Sequence, residues 1–142
     1  MKTRQHTYFG YFLVVLIFFI LAAVYLAVIY GGLFENFFWY DMILHFFGGA
    51  WVAGMAFWYL SPHLGMRSPS GGLSLGDRIP KLEWVILLSV FIVGIGWEIF
   101  EIIVNTATNT DWYSYIDGAS DIFFDMVGAF AMWFFIKYFL ST

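Results

Sequence analysis

With 142 residues, 62% of them hydrophobic and only 11% charged, this chain carries more apolar surface than a soluble domain of its length can bury. The absence of cysteine excludes disulfides, thiolate metal sites and cysteine nucleophiles. The formal net charge of -4 hides a segregation of the two signs along the chain, and no basic patch interleaved with aromatic residues points to nucleic acid as a partner.

Four apolar runs are each about 20 residues long, enough to cross the hydrocarbon of a bilayer as a helix. The first, residues 11–30, follows Lys2 and Arg4 and so begins like a secretory leader. Its apolar stretch exceeds the roughly 7–15 residues of a leader's hydrophobic region, and it reads as a retained helix. It holds no Asp, Glu, Lys, Arg or His between Tyr8 and Gly32, which suits a scaffold. The connection after it carries Phe37, Phe38, Trp39 and Tyr40, residue types that anchor at the membrane interface.

The second span, residues 41–60, opens with Asp41 and, one turn later, His45. Taken alone, Asp41 reads equally well as the N-cap of that helix. The connection 61–82 contains Ser68-Pro69-Ser70-Gly71-Gly72, a flexible-linker signal. It lacks the Gly-Lys-Ser/Thr ending of a phosphate-binding loop. His6 and His63, near the ends of their helices, read as solvated. The third span, 84–104, is interrupted by Glu98 and Glu101. Trp112, Tyr113 and Tyr115 repeat the interfacial aromatic signal before the fourth span, 121–140, which opens with Asp121 and Asp125. The expected fold is an all-α integral membrane bundle of four transmembrane helices, with residues 1–142 forming one transmembrane domain.

The basic residues orient it. Lys2 and Arg4 precede the first span; Arg67, Arg78 and Lys81 lie between the second and third; Lys137 ends the fourth. All 6 basic residues therefore fall on one side, which the positive-inside rule assigns to the cytoplasm together with both termini. Asp41 and His45, Glu98 and Glu101, and Asp121 and Asp125 then share the extracytoplasmic half of the membrane, an agreement that helical periodicity did not require.

Residues three, four and seven apart share a helix face. Gly94, Glu98, Glu101 and Asn105 fall in a stripe about 60° wide. Asp117, Asp121, Asp125 and Gly128 form a second such stripe, and Asp41, His45, Gly48 and Val52 a third. Each combines acidic residues with glycine, and the glycines at 48, 49, 94, 96 and 128 are expected to serve close helix packing. A charged group in hydrocarbon costs from about 2.5 kcal/mol to well over 10 kcal/mol. Carboxylates gathered there need either shared protons or a cation. A divalent ion is the simpler solution, and carboxylate oxygens with one imidazole suit Mg²⁺, Mn²⁺, Zn²⁺ or Fe²⁺. His45, Glu98, Asp121 and Asp125 are the expected metal ligands, and Glu98 and Glu101 the candidates for a general base. Asp41, Asn105 and Asp117 are expected to stand behind them. Asn105 and Asp117 read alternatively as simple helix ends.

Three motifs then line up in order: Asp41-x-x-x-His45-Phe46-Phe47-x-Gly49, Trp97-Glu98-x-x-Glu101 and Asp121-x-x-x-Asp125-Met126-x-Gly128-Ala129. Over Tyr40 to Lys137 the chain resembles the VanZ-like and YjdF-like small bacterial membrane proteins. Where VanZ-like proteins often carry Gln after the helix-three Glu and Asn in the last motif, this chain has Glu101 and Asp125, which brings it nearer the YjdF-like pattern. The resemblance implies a multi-pass protein of a bacterial-type cytoplasmic membrane.

The leading functional expectation is a metal-dependent hydrolase or transferase acting at the outer leaflet on a lipid or lipid-linked headgroup. One alternative is a non-catalytic subunit or sensor, held together by a structural metal or proton network within a homo-oligomer or larger membrane complex. The other is a cation- or proton-coupled carrier, against which stands the near absence of polar residues beyond Ser89 and Tyr59 in the cytoplasmic halves of the spans.

Overall fold

The computed structural model describes residues 2–30, 37–63, 79–108 and 115–140. Four helices account for them: α1 (Lys2–Tyr30), α2 (Phe38–His63), α3 (Ile79–Thr108) and α4 (Tyr115–Phe135), the last continued by a single π-helical turn, Ile136–Leu140. The shortest, α4, has 21 residues, about 31 Å at 1.5 Å per residue, so each is long and apolar enough to span a bilayer. Helices satisfy every backbone group internally, the condition hydrocarbon imposes on any crossing segment. The four expected spans lie within them. The expected connection 61–82 is shorter than its composition suggested, because 61–63 complete α2 and 79–82 begin α3. Pro80 sits in the first turn of α3, where proline is tolerated because its missing N–H would have no helical partner. The Ser68 to Gly72 stretch, Trp112 and Tyr113 lie outside the described residues.

α2 and α4 run parallel and form the most extensive helix pair. Glycines explain their closeness. A methyl group on Gly49 would collide with the carbonyl oxygen of Asp125 and stand 2.5 Å from its Cα. One on Gly128 would collide with the Phe46 carbonyl oxygen and stand 2.9 Å from the Ala50 nitrogen. Each helix thus presents a glycine to the other's backbone. α3 packs antiparallel against both.

α1 lies against α2, where aromatic side chains tie the two helices together. Tyr40 is a helical residue whose hydroxyl donates to the Ala23 carbonyl (2.7 Å). Trp51 donates its indole N–H to the Leu13 carbonyl (3.0 Å) and Trp58 to that of His6 (3.3 Å). Three aromatic donors along one face of α2 therefore hold the backbone of α1 from end to end. His6 is not simply solvated: its ring stacks on Trp58 at 5.3 Å between centroids, and its Nε2 lies 3.1 Å from the Trp58 carbonyl oxygen. The side chain of His63 lies outside the described ones.

The apolar core occupies one half of the bundle. Phe9 and Leu13 of α1, Ala53 and Phe57 of α2, Leu82, Ile86 and Val90 of α3, and Met132, Trp133 and Ile136 on the α4 side are all buried there. The buried carboxylates lie in the other half.

Candidate functional site

The site is assembled from the start of α2, the end of α3 and the start of α4. His45 is its centre. Its Nε2 lies 3.8 Å from Asp41 Oδ1 and 3.8 Å from Asp121 Oδ2, while its Nδ1 lies 3.4 Å from Asp125 Oδ1. Asp41 shares a helix face with His45 at i, i+4; the two α4 aspartates arrive through the close α2–α4 contact. α2 begins at Phe38, so Asp41 lies in the first helical turn and is not an N-cap. A carboxylate there is also favoured by the partial positive charge of the helix N-terminus.

Asp121, Asp125 and Glu98 are buried, and Asp121 is only 2% exposed. Glu101 is half-buried, with Oε1 accepting a 2.7 Å hydrogen bond from the Trp97 indole. Two triads can bring one ligand atom each to within 4.8 Å of the others: Asp41, His45 and Asp121, and Glu98, Glu101 and Asp121. Asp121 belongs to both. Arg4 and Lys137, the basic residues whose side chains are described, lie toward the opposite end of the bundle.

The three helical stripes thus meet. Asp117 falls in the first turn of α4 and is exposed; its carbonyl accepts a 2.8 Å hydrogen bond from Ser120. Asn105 is half-buried one turn beyond Glu101. Two contributors had no role assigned from sequence. Trp97 holds Glu101, a relation its i, i+4 spacing allows. The Ser120 hydroxyl also stands 3.4 Å from Asp121 Oδ1, a longer second contact. Nothing in the residue pattern distinguishes that serine from an ordinary helix-start residue.

Fold and site together define a four-helix membrane protein with a histidine–carboxylate cluster buried in one half of its bundle. The chain belongs to the family described as "Predicted membrane protein (DUF2238)", which matches residues 1–142. That membership establishes a membrane-protein family without singling out the VanZ-like or YjdF-like groups. No curated protein and no solved structure matches the chain.

Proposed function

We propose that this protein binds a divalent metal ion between Asp41, His45 and Asp121, and that the centre hydrolyses or transfers a lipid or lipid-linked headgroup at the extracytoplasmic face of a bacterial-type membrane. The observation that carries the reading is the pair of surroundings given to the two nitrogens of His45. A metal-binding imidazole characteristically offers one nitrogen to the ion and the other to a carboxylate that orients the ring. Here Nε2 faces Asp41 and Asp121, and Nδ1 faces Asp125. Ligand atoms about 2.1 Å from a tetrahedral ion stand roughly 3.4 Å apart, so the two 3.8 Å separations from His45 Nε2 need only a small contraction, and the whole triad lies within 4.8 Å. This favours exchanging the roles expected for Asp41 and Asp125, the former binding the ion and the latter orienting the ring.

A bound ion supplies Lewis acidity toward a phosphoryl or acyl oxygen and an acidified water. Glu98 and Glu101, which share a possible triad with Asp121, would take the proton of that water, with the Trp97 indole donating to Glu101. The outward position rests on the distribution of Lys2, Arg4, Arg67, Arg78, Lys81 and Lys137. Within the resembling families, Glu101 and Asp125 support the YjdF-like affinity.

Metal content of the purified protein, measured by plasma mass spectrometry, tests the site. About one ion per chain is expected in wild type, lost in His45→Gln and Asp121→Asn, and held about 10–100-fold more weakly in Asp125→Asn. A wild-type protein that binds none of Mg²⁺, Mn²⁺, Zn²⁺ or Fe²⁺ refutes it. The same geometry supports a second reading, because His45 and its three carboxylates also close as a proton-sharing network between helices. A metal-free cluster whose loss unfolds the protein would favour that structural role in a membrane subunit or sensor.

A further inference from the structure

Two glycines of α3 lie two residues apart and meet opposite surroundings. A methyl group on Gly96 would have nothing within 4 Å. One on Gly94 would stand 2.9 Å from Oδ2 and 3.8 Å from Cγ of Asp125, with Ile122 Cγ1 next at 3.9 Å. All of those atoms belong to side chains, whereas the atoms that crowd Gly49 and Gly128 belong to backbone. Gly94 is therefore not a point where two helix backbones touch. It is where α3 leaves room for a carboxylate. The other oxygen of that carboxylate, Oδ1, lies 3.4 Å from His45 Nδ1, and a methyl group on Gly48 would stand 3.9 Å from it. The side chain of Asp125 is thus seated between α2 and α3.

We infer that Gly94 is a positioning residue whose missing side chain seats the Asp125 carboxylate against His45 Nδ1, an inference that rests on the reading of His45 as a metal ligand. Carbon–oxygen contacts settle at roughly 3.3–3.6 Å, so a methyl group on Gly94 would drive Oδ2 back by about 0.4–0.7 Å. A carboxylate can yield by rotating, without moving a backbone, and the fold survives. The site does not tolerate the same movement, because a functional constellation must hold to within about 0.5 Å. Losing the carboxylate behind a ligating histidine weakens metal binding by about 10–100-fold.

The test measures binding of Mn²⁺ alone to the full chain for wild type, Gly94→Ala and Gly96→Ala. Alongside it, the ¹⁵N shifts of the His45 ring are recorded at one fixed pH without metal. Gly94→Ala is expected to bind about tenfold more weakly, the lower end of that range, and to displace the His45 shifts, while Gly96→Ala keeps both at wild-type values. Wild-type ring shifts in Gly94→Ala overturn the inference whatever the affinity. If wild type binds none of Mg²⁺, Mn²⁺, Zn²⁺ or Fe²⁺, the metal reading fails by itself and the ring shifts alone decide the positioning role. Should Gly94→Ala not fold, Asp125→Ala is added to it. Restored folding identifies the carboxylate as the obstacle, and a double variant that stays unfolded overturns the inference in favour of helix packing.

Discussion

The contact between α2 and α4 makes a strong prediction about stability. Gly49→Ala places a methyl group 2.5 Å from Asp125 Cα and 2.6 Å from its carbonyl carbon, where carbon atoms prefer roughly 3.5–4.0 Å. The two helices must part by about 1 Å, since neither set of atoms is a side chain that can rotate away. Overpacking that side chains can absorb costs about 1–3 kcal/mol; a backbone collision belongs at the top of that range. Replacing Gly by Ala returns up to about 1 kcal/mol through helix propensity, leaving a net loss of about 2 kcal/mol. Gly96→Ala receives the same propensity gain without a collision, so it is the reference. Gly49→Ala and Gly128→Ala should each fall about 3 kcal/mol below it, on the order of a hundredfold in the ratio of folded to unfolded protein. Unfolding in mixed micelles with rising SDS, followed by helical circular dichroism, measures the difference. Equal midpoints for Gly49→Ala, Gly128→Ala and Gly96→Ala would refute the glycine interlock.

Other consequences are separable from that one. Trp51→Phe removes the donor to the Leu13 carbonyl and should cost about 0.5–1.5 kcal/mol, read as faster hydrogen exchange confined to α1; exchange that rises equally in α4 would count against a peripheral α1. Trp97→Phe frees Glu101 Oε1, so lipid hydrolysis should fall while metal content is unchanged, and a loss of metal would instead move Glu101 into the ligand set. Glu98→Gln should abolish hydrolysis in protein that still folds; normal turnover rules out its role as base. Because the chain has no cysteine, single substitutions report sidedness cleanly: Thr142→Cys should react with an impermeant maleimide only from the cytoplasmic side and Thr110→Cys only from the other. Labelling of both from one side would overturn the outward position of the site.

Much of the site is readable in the sequence because helical periodicity is a local property. Glu98, Asp121 and Asp125 fall on their stripes by spacing alone, and each is buried. Periodicity fails to fix burial: Asp117 shares a face with Asp121, yet it is exposed. It fails again where a contact is made between helices by atoms that composition does not reveal. Tyr40 reads as an interfacial anchor from its neighbours, and only the structure shows its hydroxyl on a carbonyl of α1. His6 reads as solvated for the same reason, since its contact with Trp58 joins two helices. The glycines were expected to share one packing role, and only their neighbours separate them: backbone at Gly49 and Gly128, a carboxylate at Gly94, open space at Gly96.

Asp125 joins the helix contact to the site. Its backbone is what Gly49 packs against, and its side chain is what His45 Nδ1 meets. Anything that parts α2 from α4 must therefore also draw Asp125 away from His45, so the glycine variants should lose metal affinity in proportion to the separation they impose. The converse does not hold. Asp125→Asn keeps the backbone contact and alters only the group presented to the ring, and a methyl group on Gly94 moves the carboxylate without touching the α2–α4 backbone. Stability and site chemistry are thus coupled through the position of one residue and can be separated by choosing which of its atoms to perturb. The reciprocal glycine contact of α2 and α4 lies beside the buried carboxyl groups of Asp121 and Asp125. Ionisable groups are tolerated in such a place only when their partners stand in good geometry, and the packing that brings Gly49 onto Asp125 also brings Asp125 onto His45.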